Sequence, residues 1–376
     1  MMERSPLTWM VFYMISPECQ IHIRASPQPL GITVASIVTR LFRHHMLAAL
    51  GLIKYNPTSM NHKERAETNL RPSIPMARLE RLYQAVGDAT SLLILTHNDP
   101  DPDAIASAVA LQWLLSEKAG VESHVVYKGI VGRAENKALV RYLGYPLRLL
   151  TEAEVSKSLP IALVDTQPGA GNNALSPSSD VAIVFDHHPE REETAAADFV
   201  DVRPDVGATS TILTEYCQAA DLELPPSIAT ALFYGIKTDT MGLGRGASQA
   251  DVAAYFFLQS QLEVKALVDI ERAQVPPEYF QGLVAALQSA YVYDDVLIAY
   301  IGSMERPDLT AEMADLFLRL RGIEWVMCMG IYEDEMVVSI RTNRQQGAGD
   351  LVQSIVRDLG SAGGHGSMSA GQISLE

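Results

Sequence analysis

SLLILTHNDPDPDAIASAVALQWLL, residues 91–115, joins a short apolar run to a long apolar helical stretch through an acidic turn spaced by prolines. SLLILT has the length and side chains of a buried strand. The same pattern recurs in SHVVY (123–127), a helical stretch near 135–143, IALVD (161–165) and VAIVFD (181–186). Short apolar runs alternating with helices are the signature of a parallel sheet with crossover helices, an α/β fold. In such sheets ligands bind outside the carboxyl ends of the strands. Three of the runs finish there on potential metal ligands, His97, Asp165 and Asp186, so residues far apart in sequence are expected at one edge.

The first junction is the richest, holding His97, Asp101 and Asp103. Pro100 and Pro102 disfavour the α conformation at Asp99 and Asp101, which predicts an extended segment up to the start of the helix. Residues i and i+2 of an extended chain point the same way, aiming Asp101 and Asp103 at one point. Asp103 alone also fits a helix N-cap, which leaves His97 and Asp101 unexplained. The small residues Ala104, Ala106, Ser107 and Ala108 suit a close approach of this helix to the sheet.

In FDHHP (185–189) the histidine pair, taken alone, would more often lie in solvent. Here it follows a buried run, and Asp186 could orient an imidazole. SIATALFYGIKTDTMGL (227–243), a helix running into a turn, brings Asp239 after another apolar stretch. Of the five histidines beyond residue 76, only His124 falls outside these special segments, and it reads as structural. Cys217 and Cys328 read as small core residues.

At 376 residues the chain is long enough for two domains, and 48% hydrophobic with 20% charged residues excludes a disordered or fibrous polymer. No run of eighteen apolar residues supports a membrane span, and Cys19, Cys217 and Cys328 form neither a metal-type spacing nor a disulfide framework. A cytoplasmic, reducing location is expected. The net charge of −16 is uneven: residues 1–75 hold eight Lys/Arg against four Asp/Glu, and the remainder holds 21 against 41, or −20. Such a surface repels long phosphate backbones and excludes a long nucleic-acid track, while short anionic ligands remain open to it if metal ions offset the charge.

Residues 1–75 carry apolar bursts broken by Pro6, Pro17, Pro27, Pro29 and Pro57, with no sustained period. They read as a dispensable extension, with targeting as the second reading. The expected order is then a catalytic domain over 76–261, a helical linker over 262–277 and a second, smaller α/β domain over 278–376.

Together these motifs resemble the DHH family of phosphoesterases, named for the triplet present here as Asp186, His187 and His188. The resemblance covers nearly all of residues 78–376 and rests on four ordered motifs: His97 with Asp101 and Asp103, VDTQP at Asp165, FDHHP, and GIKTDT at Asp239. GSAGGHGSMSAGQI, preceded by VVSIRTN, resembles the DHH-associated substrate-binding domain of the first type, with its glycine-rich loop and histidine. The length and layout are most similar to nanoRNases that also dephosphorylate pAp.

The resemblance implies that His97, Asp101 and Asp165 hold one divalent ion and Asp103, Asp165, His187 and Asp239 a second. Asp165 would bridge the two, and His188 would face the scissile phosphate with Asp186 beside it. Mixed carboxylate and imidazole ligands suit Mn²⁺, with Mg²⁺ or Co²⁺ as alternatives. Four carboxylates against two divalent ions leave the bare site neutral, so further substrate phosphates need other cations. Arg341, Arg344 and His365, with Gly363, Gly364 and Gly366 freeing backbone N–H groups, are the implied substrate-binding residues. The implied substrates are short oligoribonucleotides or nucleotides, and a homodimer is left open. Two other readings are a phosphodiesterase of linear or cyclic dinucleotides and a non-catalytic nucleotide-binding regulator, the latter disfavoured by the full ligand set.

Overall fold

The computed structural model describes residues 74–87, 89–151, 154, 159–176, 179–344, 347–357 and 359–375, and at His365 the backbone only. The expected extension, including Cys19, lies outside the described residues up to position 73. The chain divides into two units, the second beginning at Pro276.

The first unit opens with α1 (Met76–Val86), whose Leu79, Leu82 and Val86 are buried at helical spacing. Ile74, just before it, is also in the core. The parallel sheet comprises β1 (Ser91–Thr96), β2 (Glu122–Tyr127), β3 (Leu147–Leu149), β4 (Ile161–Val164), β5 (Ile183–Asp186) and β6 (Phe199–Val202), in the order β3-β2-β1-β4-β5-β6. Its central strands β1, β4 and β5 are buried on both faces, as continuous runs such as Leu92–Leu95 require. The crossovers are α2 (Pro102–Ala119), α3 (Ala134–Tyr142) and a short 3-10 helix at Glu192–Ala196, and the unit continues with α4 (Thr209–Ala219), α5 (Pro226–Asp239), α6 (Gln249–Gln259) and α7 (Val264–Glu271). The strand order reverses between β1 and β4, which places the crevice at the ends of these two strands.

α2 is apolar nearly all round and buried from Pro102 to Leu111. It packs on α4 and α5 as well as on β1 and β2. Its small residues therefore serve contact between helices too: Ser107 Oγ lies 3.2 Å from Ser210 Oγ on α4. α7 falls where the helical linker was expected and packs on α3 and α5.

β6 carries a buried charge that its sequence hides. The Asp201 carboxylate accepts Arg203 Nε and Nη2 at 2.8 and 2.7 Å, Arg78 Nε from α1 at 3.1 Å and the Tyr216 hydroxyl at 2.7 Å. Burial opposes the charge, but these donors outweigh it and hold Asp201 below the usual carboxylate range. A depressed carboxyl contributes stability that is present above the unfolded-state value and is lost as pH falls through the lower folded-state value. Asp201→Asn is therefore expected to cost about 3 kcal/mol at pH 7, because two guanidinium groups lose their buried partner. The gap to wild type should close below pH 4; denaturant unfolding of both proteins across pH 2–8 checks this, and a gap constant with pH would exclude the ionic origin.

The second unit contains α8 (Pro277–Ser289), β7 (Tyr291–Tyr293), β8 (Val296–Ser303), α9 (Leu309–Phe317), β9 (Trp325–Tyr332), β10 (Glu335–Thr342), α10 (Ala348–Val356), β11 (Gly360–His365) and β12 (Met368–Ser374). Its mixed sheet runs β11-β12-β10-β9-β8-β7, with only β8 and β9 parallel, and buries apolar residues on both faces. The glycine-rich run, read from sequence as a loop, is instead the edge strand β11 paired with β12. A Cβ at Gly360 would sit 1.8 Å from the Gln372 carbonyl oxygen, so close pairing rather than mobility explains that glycine. Cys217 and Cys328 are buried free thiols. Among the described residues no helix is long and apolar enough to cross a membrane.

Candidate metal centre

Every ligand that the resemblance implies lies at the carboxyl end of the parallel sheet or in a helix facing it. His97 follows β1, Asp165 follows β4, His187 follows β5, Asp103 opens α2 and Asp239 closes α5. His97 Nε2 lies 3.7 Å from Asp101 Oδ1 and 3.6 Å from Asp165 Oδ2. On the other side of the same carboxylate, His187 Nε2 lies 3.6 Å from Asp165 Oδ1 and 3.5 Å from Asp239 Oδ2. Three trios of donor atoms result, His97–Asp101–Asp165, Asp103–His187–Asp239 and Asp165–His187–His188, with Asp165 close to all of them.

The local backbone is extended at Asp101 as expected, with φ −91° and ψ 179°, but not at Asp99. Asp99 adopts a left-handed conformation at φ 55°. The helix starts at Pro102, so Asp103 is already helical. Asp101, not Asp103, is the N-cap, its Oδ1 accepting the Ala104 N–H at 3.0 Å. The Asp103 carboxylate instead accepts the N–H groups of Thr209 and Ser210 at the start of α4, at 2.7 and 2.8 Å. That helix terminus stabilises a buried anion and fixes its direction. Asp165, at φ 59°, accepts the Thr209 hydroxyl at 2.9 Å, so α4 holds two of the carboxylates.

Asp186 belongs to a different layer. Its Oδ1 accepts the His188 Nδ1–H at 2.8 Å and the backbone N–H of His187 at 2.8 Å. Of the two imidazoles, His187 is the more buried, and His188 remains about a third exposed. Burial disfavours charge on His188, but the bond to Asp186 and the charge of Asp165 prevail and push it up to about 9.

The donor set passes a test for a cation. His187 Nε2 is buried with no hydrogen-bond partner, although two carboxylate oxygens stand 3.5 and 3.6 Å away. Ligand atoms that each lie about 2.0–2.2 Å from one ion lie roughly 3–3.5 Å from each other, close to what these atoms do. Burial and the neighbouring carboxylates raise Asp103 and Asp239 well above the ordinary range. Such crowding of like charge calls for positive charge at its centre.

The implied substrate-binding side chains lie in the second unit and already have partners there. Arg341 donates Nε to Asp315 Oδ1 at 2.6 Å and is 8% exposed. Arg344 pairs with Glu324 at 2.7 Å and stacks over Trp325. Gly363, Gly364 and Gly366 sit on or beside β11, and the His365 side chain lies outside the described residues. One cation that the sequence reading passed over is at the metal centre itself: Arg245 donates to the Asp239 carbonyl oxygen at 2.8 Å and draws the Asp239 carboxyl down against its neighbours. Its position in the glycine loop GLGRG, six residues after Asp239, was the available signal.

Comparison with known proteins agrees with this architecture. Residues 91–236 match the family described as DHH family, N-terminal domain. An uncharacterized protein of Methanocaldococcus jannaschii is 38% identical over 288 residues, covering 76% of this chain and 58% of that protein. A probable manganese-dependent inorganic pyrophosphatase of Streptococcus pyogenes is 30% identical over 154 residues, 40% of this chain and 49% of its own. The chain thus spans about half the length of these relatives. The crystal structure of an exopolyphosphatase-related protein from Bacteroides fragilis shares the fold over 80% of this chain and 92% of its own, with a TM-score of 0.64 at 14% identity. His97, Asp165 and the Asp186–His188 triplet fall inside the matched family segment and Asp239 lies three residues beyond it. Residues 91–236 thus carry the similarity of this chain to the DHH family.

Proposed function

We propose that this protein is a two-metal phosphoesterase that hydrolyses phosphate esters of short oligoribonucleotides, with the 3′-phosphate of pAp as a further substrate. The observation that carries the reading is Asp165, whose two oxygens each approach a different histidine at 3.6 Å. His97, Asp101 and Asp165 would hold one divalent ion, and Asp103, Asp165, His187 and Asp239 the other. Mn²⁺ suits this mixture of imidazole and carboxylate, ahead of Mg²⁺ or Co²⁺. When bound, such ions supply Lewis acidity and a nucleophilic water at neutral pH.

The chain's own residues do the rest. Asp103 and Asp165 are pre-aimed by α4, so binding costs little reorganisation. His188, oriented by Asp186, would hold a proton at the reacting phosphate. Arg245 brings a cation beside Asp239 for a phosphate oxygen. In the second unit, the edge strand β11 offers glycine backbone at Gly363, open to a phosphate or sugar, whereas Gly364 is closely packed against Ser369. For Arg341 and Arg344 to grip a phosphate, they would exchange Asp315 and Glu324 for it.

A substrate panel with the Mn²⁺-loaded full chain tests the reading: pAp, pGpG, a five-nucleotide RNA and pyrophosphate, followed by RNAs of two to about twenty-four nucleotides. The five-mer and pAp should exceed pyrophosphate in kcat/KM by at least about tenfold, and efficiency should fall with RNA length, since the −20 body repels a longer strand. Dominant pyrophosphate turnover, in line with the name of the Streptococcus pyogenes relative, would replace the ester reading, and efficiency rising with length would replace the short substrate.

A further inference from the structure

Gln167, three residues beyond β4, is 1% exposed and lies outside the implied ligand set. Its amide spans two loops. Oε1 accepts the Arg191 backbone N–H at 2.9 Å and the Thr194 hydroxyl at 2.8 Å. Nε2 donates to Asp186 Oδ2 at 2.7 Å and to the Pro189 carbonyl at 3.1 Å, with a longer contact of 3.5 Å to the His188 carbonyl. A backbone N–H can only donate, so the amide oxygen must face Arg191, and this fixes the NH₂ on Asp186.

The consequence runs to the neighbouring imidazole. With Oδ2 engaged by Gln167, Asp186 turns Oδ1 to His188 Nδ1 at 2.8 Å. A carboxylate oxygen is an acceptor, so Nδ1 carries a proton and the bond fixes which way the ring faces. We propose that Gln167 is a positioning residue of this site, setting the tautomer and orientation of His188 through Asp186. The inference rests on the phosphoesterase reading for its effect on turnover, though not for its effect on the ring.

The competing account makes Gln167 only a staple of the 186–194 loop. Three substitutions in the full chain separate the two: Gln167→Met, which removes all five side-chain bonds; Gln167→Glu, which keeps the acceptor for Arg191 and Thr194; and Thr194→Val, which loosens the same loop without touching Asp186. With Mn²⁺ bound, the Gln167 variants should lose about 10–100-fold in kcat with KM within about threefold and normal metal content, the scale typical of residues that orient active groups. Thr194→Val should lower Tm while leaving kcat within about twofold. In a His188→Ala background the Gln167 substitutions should cost less than about twofold more, because they act through the missing ring. A full second loss in that background overturns the proposal. Should the wild type hydrolyse no phosphoester, the proposed function fails, and the ring nitrogens of ¹⁵N-histidine protein with diamagnetic Mg²⁺, recorded up to a pH above 9 where the His188 ring is neutral, decide about Gln167 alone. An Nδ1–H His188 in wild type that becomes a tautomer mixture in Gln167→Glu supports the proposal, and an unchanged His188 signal overturns it.

Discussion

Asp165→Asn should lower kcat by at least about a hundredfold and reduce bound Mn²⁺ at both positions, a larger effect than Asp239→Asn. One carboxylate stands 3.6 Å from His97 Nε2 through Oδ2 and 3.6 Å from His187 Nε2 through Oδ1, whereas Asp239 approaches His187 only. Asparagine is a clean probe here. It tolerates the left-handed backbone at φ 59° and can still accept the Thr209 hydroxyl through its oxygen, so the fold is preserved while the charge is removed. Without metal, the four crowded carboxylates repel one another, and removing one charge relieves Asp103 and Asp239. The metal-free variant should therefore melt at or above metal-free wild type, and the order should reverse with Mn²⁺. Elemental analysis beside thermal melts of both variants reads this, and near-normal metal content in Asp165→Asn would remove the bridging role.

What was legible in the sequence follows from which interactions are local. The strand ends at His97, Asp165 and Asp186 could be found because buried parallel strands are continuous apolar runs, and their ends share an edge whatever the strand order. β3 and β6 were not, because LRL and FVDV are short, and Asp201 is tolerated inside through partners that include Tyr216 and Arg78, the latter 123 residues earlier. The same limit acts within the site. Asp101 and Asp103 were recognised as a pair, but their division of labour depends on Thr209 and Ser210, more than a hundred residues away. The glycine run was misread as a loop because glycine has no strand propensity of its own, and the ladder with β12 overrides that.

The last site feature hidden from the sequence reading is Gly235, in the middle of α5, where glycine normally weakens a helix by about 1 kcal/mol relative to alanine. Gly235→Ala should nonetheless destabilise the protein. The added Cβ would lie 2.4 Å from Ser210 Oγ, 3.1 Å from the Asp103 Cα and 3.1 Å from Asp103 Oδ1. Ser210 Oγ can rotate away from Ser107, but the Asp103 backbone belongs to α2, clamped between the sheet and two helices, so it can move only by shifting the helix. Overpacking of this kind costs about 1–3 kcal/mol, which outweighs or cancels the propensity gain. The larger effect is on the site, because a displacement of Asp103 breaks its bonds to Thr209 and Ser210 and pulls one oxygen from the trio with His187 and Asp239. Misplacement on the scale of 1 Å can cost about a hundredfold in rate. The expected protein is folded, melts only a few degrees lower, binds one Mn²⁺ tightly instead of two and has lost about two orders of magnitude in kcat. Ser210→Ala added to Gly235→Ala should recover part of the melting temperature and little of the metal, since the contact with Asp103 remains. Two Mn²⁺ bound with wild-type affinity in Gly235→Ala would show that Asp103 is not placed by this close packing.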